Sequence, residues 1–108
     1  MASDQNRLRA HRTRIKVCGF TREEDVQAAV AAGVDAVGFV LYEKSPRFVT
    51  AERAADLAQH LPPFVSPVLL FVNASAETIA SALRALPHAL VQLHGDESPA
   101  FAAQLQRP

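Results

Sequence analysis

The 108-residue sequence predicts an α/β fold built from four successive parallel strand–helix units. Short runs rich in β-branched residues alternate four times with longer alanine-rich stretches that have helical periodicity. Each strand must reach the next through a long return connection that contains a helix, which is how parallel strands are joined. The predicted strands are residues 15–18, 36–41, 68–72 and 90–93.

The first helix is predicted from signals at both of its ends. Thr21-Arg22-Glu23-Glu24 has the spacing of a capping box, in which the Thr21 hydroxyl and the Glu24 carboxylate each accept a backbone N–H at the helix start. Gly33 follows the last periodic residue and suits the left-handed conformation that ends many helices. We therefore expect a helix that begins after Thr21 and ends at Gly33.

The other three helices are predicted to begin at hydroxyl residues that cap their first turns. Thr50 is expected to cap a helix that runs to about His60, and Ser75 to cap the next one. Ser98 is followed by Pro99, which is well suited to the first position of the last helix. The apolar residues expected on the buried faces of the last two helices are Ile79, Leu83, Leu86, Phe101 and Leu105.

Two architectures are compatible with this order of elements: an open doubly wound sheet and part of a (β/α)8 barrel. Neither a GxGxxG nor a GxxxxGK[ST] sequence follows any strand, which weakens the nucleotide-binding form of the open sheet. Two strands alternate polar and apolar residues, as expected where one strand face meets helices and the other faces a barrel interior. The residues predicted to face the helices are Ile15, Val17, Val91 and Leu93, and those predicted to converge inside a barrel mouth are Lys16, Cys18, Gln92 and His94.

The composition argues against a nucleic-acid or membrane partner. Eleven Lys and Arg residues balance eleven Asp and Glu residues, so a small neutral or singly charged ligand is expected instead. The single cysteine cannot form an internal disulfide, and no apolar run approaches the roughly 18 residues of a spanning helix. We therefore expect a reducing compartment, the cytoplasm. Residues 1–14, which contain four arginines, are interpreted as a flexible basic arm before one domain at 15–108.

Cys18 is the first candidate for chemistry because it ends the first predicted strand, where the catalytic groups of α/β barrels lie. Gly19 lets the backbone turn sharply after it and lets a ligand approach closely. Lys16 is expected on the same strand face, and a nearby cation favours a thiolate, which could act as a base or a nucleophile. The alternative is a small hydrophobic core residue.

Arg47 and His94 are candidates in the loops after the second and fourth strands. Arg47 could hold a carboxylate or phosphate in a two-pronged contact, or it could lie in a solvated connection. His94 occupies the position of the active face of a barrel, although a polar loop residue is equally compatible. Asp96 and Glu97 are expected to favour the start of the last helix through its dipole.

Four stretches together resemble phosphoribosylanthranilate isomerase of tryptophan biosynthesis: KVCGFT (16–21), GVDAVGFVLYEKSPRFV (33–49), LFVNAS (70–75) and VQLHGDES (91–98). The resemblance covers residue 15 to about residue 106. It implies a TIM (β/α)8 barrel of which this chain holds the first four of eight units. It also implies a cofactor-free Amadori rearrangement that converts N-(5-phosphoribosyl)anthranilate to 1-(2-carboxyphenylamino)-1-deoxyribulose 5-phosphate.

The resemblance also assigns roles to the candidate residues. It implies that Cys18 is the general base that removes the sugar C2 proton, that Arg47 meets the anthranilate end, and that His94 lies at the substrate pocket. The aspartate general acid and the phosphate loops of the family belong to the second half of the barrel. We therefore expect an isolated chain with little or no turnover that associates with itself or with a second half-barrel. A non-catalytic half-barrel scaffold and an unrelated small α/β binding domain are the alternatives.

Overall fold

A computed structural model describes residues 12–108, so most of the predicted arm at 1–14 lies outside the described residues. Within this range, four strands alternate with four helices, as the sequence predicts. The strands are β1 (Lys16–Cys18), β2 (Ala36–Val40), β3 (Ser66–Phe71) and β4 (Leu90–Leu93). The helices are α1 (Glu23–Ala32), α2 (Ala51–Ala58), α3 (Ala76–Ala85) and α4 (Pro99–Leu105).

The strands form one parallel sheet in the order β1-β2-β3-β4. Each strand pairs with the next one along the chain, so that Cys18 lies opposite Gly38 and Phe71 lies opposite Leu93. A doubly wound sheet reverses its strand order at a switch point, whereas a barrel wall adds strands in sequence. The observed order is that of a barrel wall, which confirms the predicted partial barrel and excludes the open sheet.

Three of the predicted helix caps are confirmed. The side-chain oxygens of Thr50, Ser75 and Ser98 each accept a hydrogen bond from the backbone N–H three residues further on. Gly33 ends α1 in the left-handed conformation with φ of +94°, also as predicted. The second helix ends at Ala58 rather than near residue 60, where the chain already forms a turn.

The predicted capping box at the start of α1 is wrong. The N-cap residue is Arg22, and it forms no side-chain capping hydrogen bond. Its guanidinium instead pairs with the Asp25 carboxylate, with two N–O distances of 2.9 Å. The Thr21 carbonyl oxygen accepts from the side chain of Arg53 at 3.2 Å. A contact from α2 therefore holds the start of α1, where the sequence predicts a local cap.

The hydrophobic core lies between the sheet and the layer of helices. Its largest fully buried side chains are Phe39, Phe71, Leu57, Leu69, Ile79, Val26 and Val37. Val91 and Leu93 pack against this core as predicted. Ile15 and Val17 instead keep 50% and 40% of their surface exposed, because β1 is an edge strand and neither residue belongs to the core. The opposite face of the sheet has apolar residues in its middle, such as Val40 and Leu70, and more polar ones on β1 and β4, such as Lys16 and Gln92.

Candidate functional site

A cavity of about 570 Å³ lies on the face of the sheet that is turned away from the helices. Each strand, together with the residues just beyond its carboxyl end, contributes two lining residues spaced two positions apart, because alternate side chains of an extended chain share a face. The lining residues are Lys16, Cys18, Val40, Tyr42, Ser45, Arg47, Leu70, Val72, Gln92 and His94. The structure thus brings together the four residues expected in a barrel mouth and adds Arg47 to them.

Cys18 is half-buried in this cavity and has Gly38 of β2 as its neighbour across the ladder. A Cβ atom placed on Gly38 would lie only 2.7 Å from the Cys18 Sγ atom. The Gly38 carbonyl oxygen accepts from the N–H groups of Gly19 and Phe20, at 3.0 and 3.3 Å. Gly38 therefore leaves room for the thiol and holds the turn that follows it. No local sequence pattern identifies Gly38 as a site residue, since its role depends on strand register.

The guanidinium of Arg47 lies over the end of β1. Its Nη1 donates to the Cys18 carbonyl oxygen at 3.1 Å, and no other hydrogen bond of this guanidinium forms within residues 12–108. A Cβ atom on Gly19 would lie 2.2 Å from Nη1, and Gly19 has φ of +94°. Gly19 is thus needed both for the turn and for the close approach of Arg47. The remaining N–H groups of the exposed guanidinium are free to bind an anion.

His94 is held by its backbone at the exit of β4. Its N–H donates to the Phe71 carbonyl oxygen at 2.8 Å, which extends the pairing of β3 and β4 by one step. Glu97 is expected to favour the start of α4 through the helix dipole, but in the structure its carboxylate binds two backbone N–H groups of the loops. Its carboxylate accepts from the N–H groups of Asn73 and Gly95, at 2.8 and 2.7 Å. The loops after β3 and β4 are therefore joined beside His94.

Hydrogen bonds also determine the ionisation of Glu97. Partial burial alone would raise the pKa of this carboxyl. The N–H groups of Glu97, Asn73 and Gly95, together with the nearby His94, outweigh burial and lower the pKa of Glu97 below its ordinary value. The carboxylate form is therefore the one that holds the two loops.

The cavity is electropositive. Its lining includes the cations of Lys16 and Arg47, and none of its ten lining residues in the described chain is a carboxylate. A cavity lined by one sign of charge concentrates ligands of the opposite sign. The side-chain oxygen Oε1 of Gln92 is also buried without a hydrogen-bond partner in the described residues. The site is suited to an anionic ligand and offers no carboxylic acid of its own.

An ion pair supports the loop that follows Cys18. Arg53 of α2 donates to both carboxylate oxygens of Glu23 in α1, at 2.8 and 2.9 Å, and to the Thr21 carbonyl oxygen. The hydrogen bonds from Arg53, followed by the backbone N–H of Glu23, lower the pKa of Glu23 to about 2. This pair ties the first turn of α1 to the neighbouring helix, so the turn after β1 is held from both sides.

A second cavity in the described chain lies away from the predicted site residues. A groove of about 720 Å³ between α2 and α3 is lined by residues such as Glu52, Thr78 and Arg84, but by none of the predicted site residues. Within residues 12–108, no group of three or more His, Cys, Asp and Glu side chains is placed to hold a metal ion. No helix in the same part of the chain has the length and hydropathy needed to cross a membrane.

Comparison with known proteins decides the family. The family model for N-(5'-phosphoribosyl)anthranilate isomerase matches residues 15–108. The chain belongs to this family. The predicted resemblance is therefore confirmed, and the alternative of an unrelated small α/β domain is excluded.

Individual isomerases agree with this assignment. The N-(5'-phosphoribosyl)anthranilate isomerase of Methylibium petroleiphilum is 61% identical over 97 residues, which cover 90% of this chain and 46% of the relative. The crystal structure of the Thermotoga maritima isomerase is 40% identical with a TM-score of 0.84, over 88% of this chain and 46% of that one. A solved isomerase in complex with reduced 1-(o-carboxyphenylamino)-1-deoxyribulose 5-phosphate has the same identity and TM-score, and 49% of it is covered. This chain spans about half the length of the curated relatives it matches.

Proposed function

We propose that this chain supplies the first half of an active site that converts N-(5'-phosphoribosyl)anthranilate to 1-(2-carboxyphenylamino)-1-deoxyribulose 5-phosphate. One observation carries the proposal: Cys18, Arg47 and His94 line a single cavity at the carboxyl ends of parallel strands. This is the end at which barrel enzymes place their catalytic groups. The substrate named for the relatives of this chain has a carboxylate and a phosphate, which suit an electropositive cavity.

Cys18 is the proposed general base. Opening of the sugar ring gives a protonated Schiff base, whose electron-withdrawing iminium carbon acidifies the proton on the neighbouring C2 carbon. A thiolate can remove that proton, and the C–H electron pair then forms a C1–C2 double bond while the iminium π pair moves to the nitrogen. The resulting enol becomes the C2 ketone when C1 gains a proton and the C2 hydroxyl loses its own. The thiol lies beside Gly38, the residue that leaves space next to it. Lys16 lines the same cavity as this thiol.

Arg47 is the proposed binding group for the anthranilate carboxylate. A guanidinium can form two parallel hydrogen bonds to a carboxylate, and one of its N–H groups is already anchored on the Cys18 carbonyl oxygen. The distance between the base and the carboxylate-binding group is thereby restricted. Such restriction lowers the entropic cost of bringing the C2 proton to the thiolate.

The general acid and the phosphate site are proposed to come from elements beyond these four units. No carboxylate lines the cavity in the described residues, whereas ring opening requires an acid. We further propose that residues 15–108 act as one half-barrel domain that binds a second half along its sheet edges. The Val91 N–H already donates to the Pro108 carbonyl oxygen at 3.0 Å, on the side of β4 where a further strand would pair. A cytoplasmic location stays a prediction.

Complementation of a tryptophan auxotroph that lacks the isomerase tests this proposal. The chain would be co-expressed with the second half of the Methylibium petroleiphilum isomerase, and we expect growth from the pair but from neither half alone. Cys18→Ser and Arg47→Ala should abolish or severely slow that growth, and His94→Ala should slow it. The matched controls His88→Ala and Arg84→Ala change exposed residues outside the cavity and should grow normally. Growth of the pair with Cys18→Ser at the rate of the unchanged pair would overturn the proposed base.

A further inference from the structure

We propose that Glu97 is a positioning residue for His94, because it joins the loops after β3 and β4 and so determines where the imidazole meets the cavity. Asn73 is its partner in the first of these loops, and Asn73 and Glu97 together are called the loop clamp below. The inference rests on the proposed function only in taking His94 as a substrate contact. The position of the imidazole itself can be measured without any substrate.

Both oxygens of Glu97 are occupied by backbone donors from different loops. Oε2 accepts from the Asn73 N–H at 2.8 Å, and Oε1 accepts from the Gly95 N–H at 2.7 Å. Hydrogen bonds to a charged acceptor are shorter and stronger than neutral ones. Because Gly95 directly follows His94, the carboxylate holds the peptide that carries the histidine.

The other member of the clamp binds in the reverse direction. The Asn73 side-chain oxygen Oδ1 accepts from the Asp96 N–H at 2.8 Å, and Asn73 has φ of +52°, a conformation that asparagine adopts more readily than most residues. A Cβ atom on Gly95 would lie 2.6 Å from this Oδ1. The two loops are therefore in direct contact, and only a glycine fits at the position after His94.

Three consecutive N–H groups around the histidine are fixed by these contacts. The N–H of His94 binds the Phe71 carbonyl oxygen, that of Gly95 binds Glu97, and that of Asp96 binds Asn73. An exposed loop that lacks such partners samples several backbone conformations. The exposed imidazole of His94 is thus carried by an immobilised backbone, and the clamp supplies two of the three bonds.

Glu97→Gln is the test variant, and Asp96→Asn is its matched control. Glu97→Gln keeps the shape of the side chain, but both of its partners are N–H donors, so the new amide NH2 must face one of them. Asp96→Asn removes the same charge from the adjacent position, where the side chain makes no hydrogen bond within residues 12–108. A difference between these variants therefore reports the hydrogen bonds of Glu97 rather than the loss of a negative charge.

The first measurement is made on the chain itself by NMR. Glu97→Gln should shift the ring signals of His94 and raise the amide exchange rates of Gly95 and Asn73 by roughly tenfold or more. Asp96→Asn should leave the exchange rates unchanged and the ring signals nearly so. If Glu97→Gln reduces the folded fraction of the chain, Asn73→Ala serves as the second clamp variant. It removes the hydrogen bond from the Asp96 N–H to the Asn73 side chain and should shift the same ring signals. Unchanged ring signals and exchange rates in both clamp variants would overturn the inference.

The second measurement is made on the pair of halves used for complementation. Glu97→Gln should raise KM roughly tenfold, because small displacements of a substrate contact are costly, and it should have no further effect once His94 is replaced by alanine. An equal rise in KM in the presence and in the absence of His94 would show that Glu97 does not act through this histidine. If the unchanged pair has no activity, the proposed function fails, while the NMR result still decides the positioning role.

Discussion

The Arg47 guanidinium binds the carbonyl oxygen of Cys18 at 3.1 Å, although 29 positions separate the two residues in the chain. This contact places the proposed carboxylate-binding group directly on the strand end that carries the proposed base. It exists because Gly19 has no side chain at the point where the guanidinium crosses the backbone. The geometry of the site therefore depends on small residues as much as on the reactive ones.

Substitution of Gly19 tests this dependence, and Gly33 provides a matched control. Both glycines have φ of +94°, but a Cβ atom on Gly19 would meet Arg47 at 2.2 Å, whereas nothing lies within 4 Å of one on Gly33. Each alanine substitution should lower the free energy of unfolding by about 1–2 kcal/mol through backbone strain. Urea denaturation measures this cost, and Gly19→Ala should cost more.

The two glycine variants should differ most in activity. In the complementing pair of halves, Gly19→Ala should reduce kcat/KM because it displaces Arg47, while Gly33→Ala should leave kcat/KM near that of the unchanged pair. Equal activity of both variants would mean that the contact between Arg47 and Cys18 has no part in the reaction.

Gly38 should control the environment of the thiol. In Gly38→Ala the new methyl group would lie 2.7 Å from Cys18 Sγ, so the side chain must move or the strands must separate. We expect a loss of about 1–3 kcal/mol in the free energy of unfolding, as in other overpacked sites, and a changed rate of alkylation of Cys18 by iodoacetamide. In the Cys18→Ala background the same substitution should cost less, because the sulfur is gone. Additive losses would argue that the clash is relieved elsewhere.

Acid should weaken the contact between α1 and α2. Arg53 lowers the pKa of Glu23 from its ordinary value of 4.5 to about 2. A carboxyl whose pKa is lower in the folded state than in the unfolded state stabilises the protein at pH values above its unfolded-state pKa. This contribution is lost as the pH falls toward about 2. Asp35, which is bound by Arg12 and by the Ile15 N–H, also has a pKa of about 2 and titrates in the same range.

Replacement of Arg53 isolates the Glu23 contribution. In Arg53→Gln the pKa of Glu23 returns toward its ordinary value, so the fall in urea midpoint between about pH 6 and about pH 3 should be smaller than in the unchanged chain. The exposed Arg84 offers a control, and Arg84→Gln should show the full fall. An Arg53→Gln chain that lost as much stability in acid as the unchanged chain would contradict the assigned role of this ion pair.

Phe64 is unfavourable at its position, so its replacement should raise the stability of the chain. Its side chain is 100% exposed, and its backbone has φ of +71°. A bulky residue in this conformation is strained, whereas glycine and asparagine adopt it more easily. Phe64→Asn should therefore raise the free energy of unfolding by about 0.5–1 kcal/mol, measured by urea denaturation. A loss of stability that grows with protein concentration would instead indicate that Phe64 packs against another copy of the chain.

The helix starts illustrate where local reasoning succeeds. Thr50, Ser75 and Ser98 each cap their helices as predicted, because a cap is completed within four residues of sequence. Thr21 has an equally good local pattern, but the first turn of α1 is bound by Arg53, which lies 30 positions beyond Glu23. A distant ion pair therefore holds this helix start, and the predicted local cap does not form.

The amino-acid sequence by itself determined the four β/α units, three of the four helix caps and the residues of the strands that face the cavity, because periodicity and capping act over a few neighbouring residues. It also identified the family through motifs that include Cys18, Arg47 and His94. Only the tertiary structure decided that Gly38 borders the thiol and that Glu97 joins two loops. These contacts link residues about twenty positions or more apart, and they arise from the register of parallel strands, which no local pattern encodes.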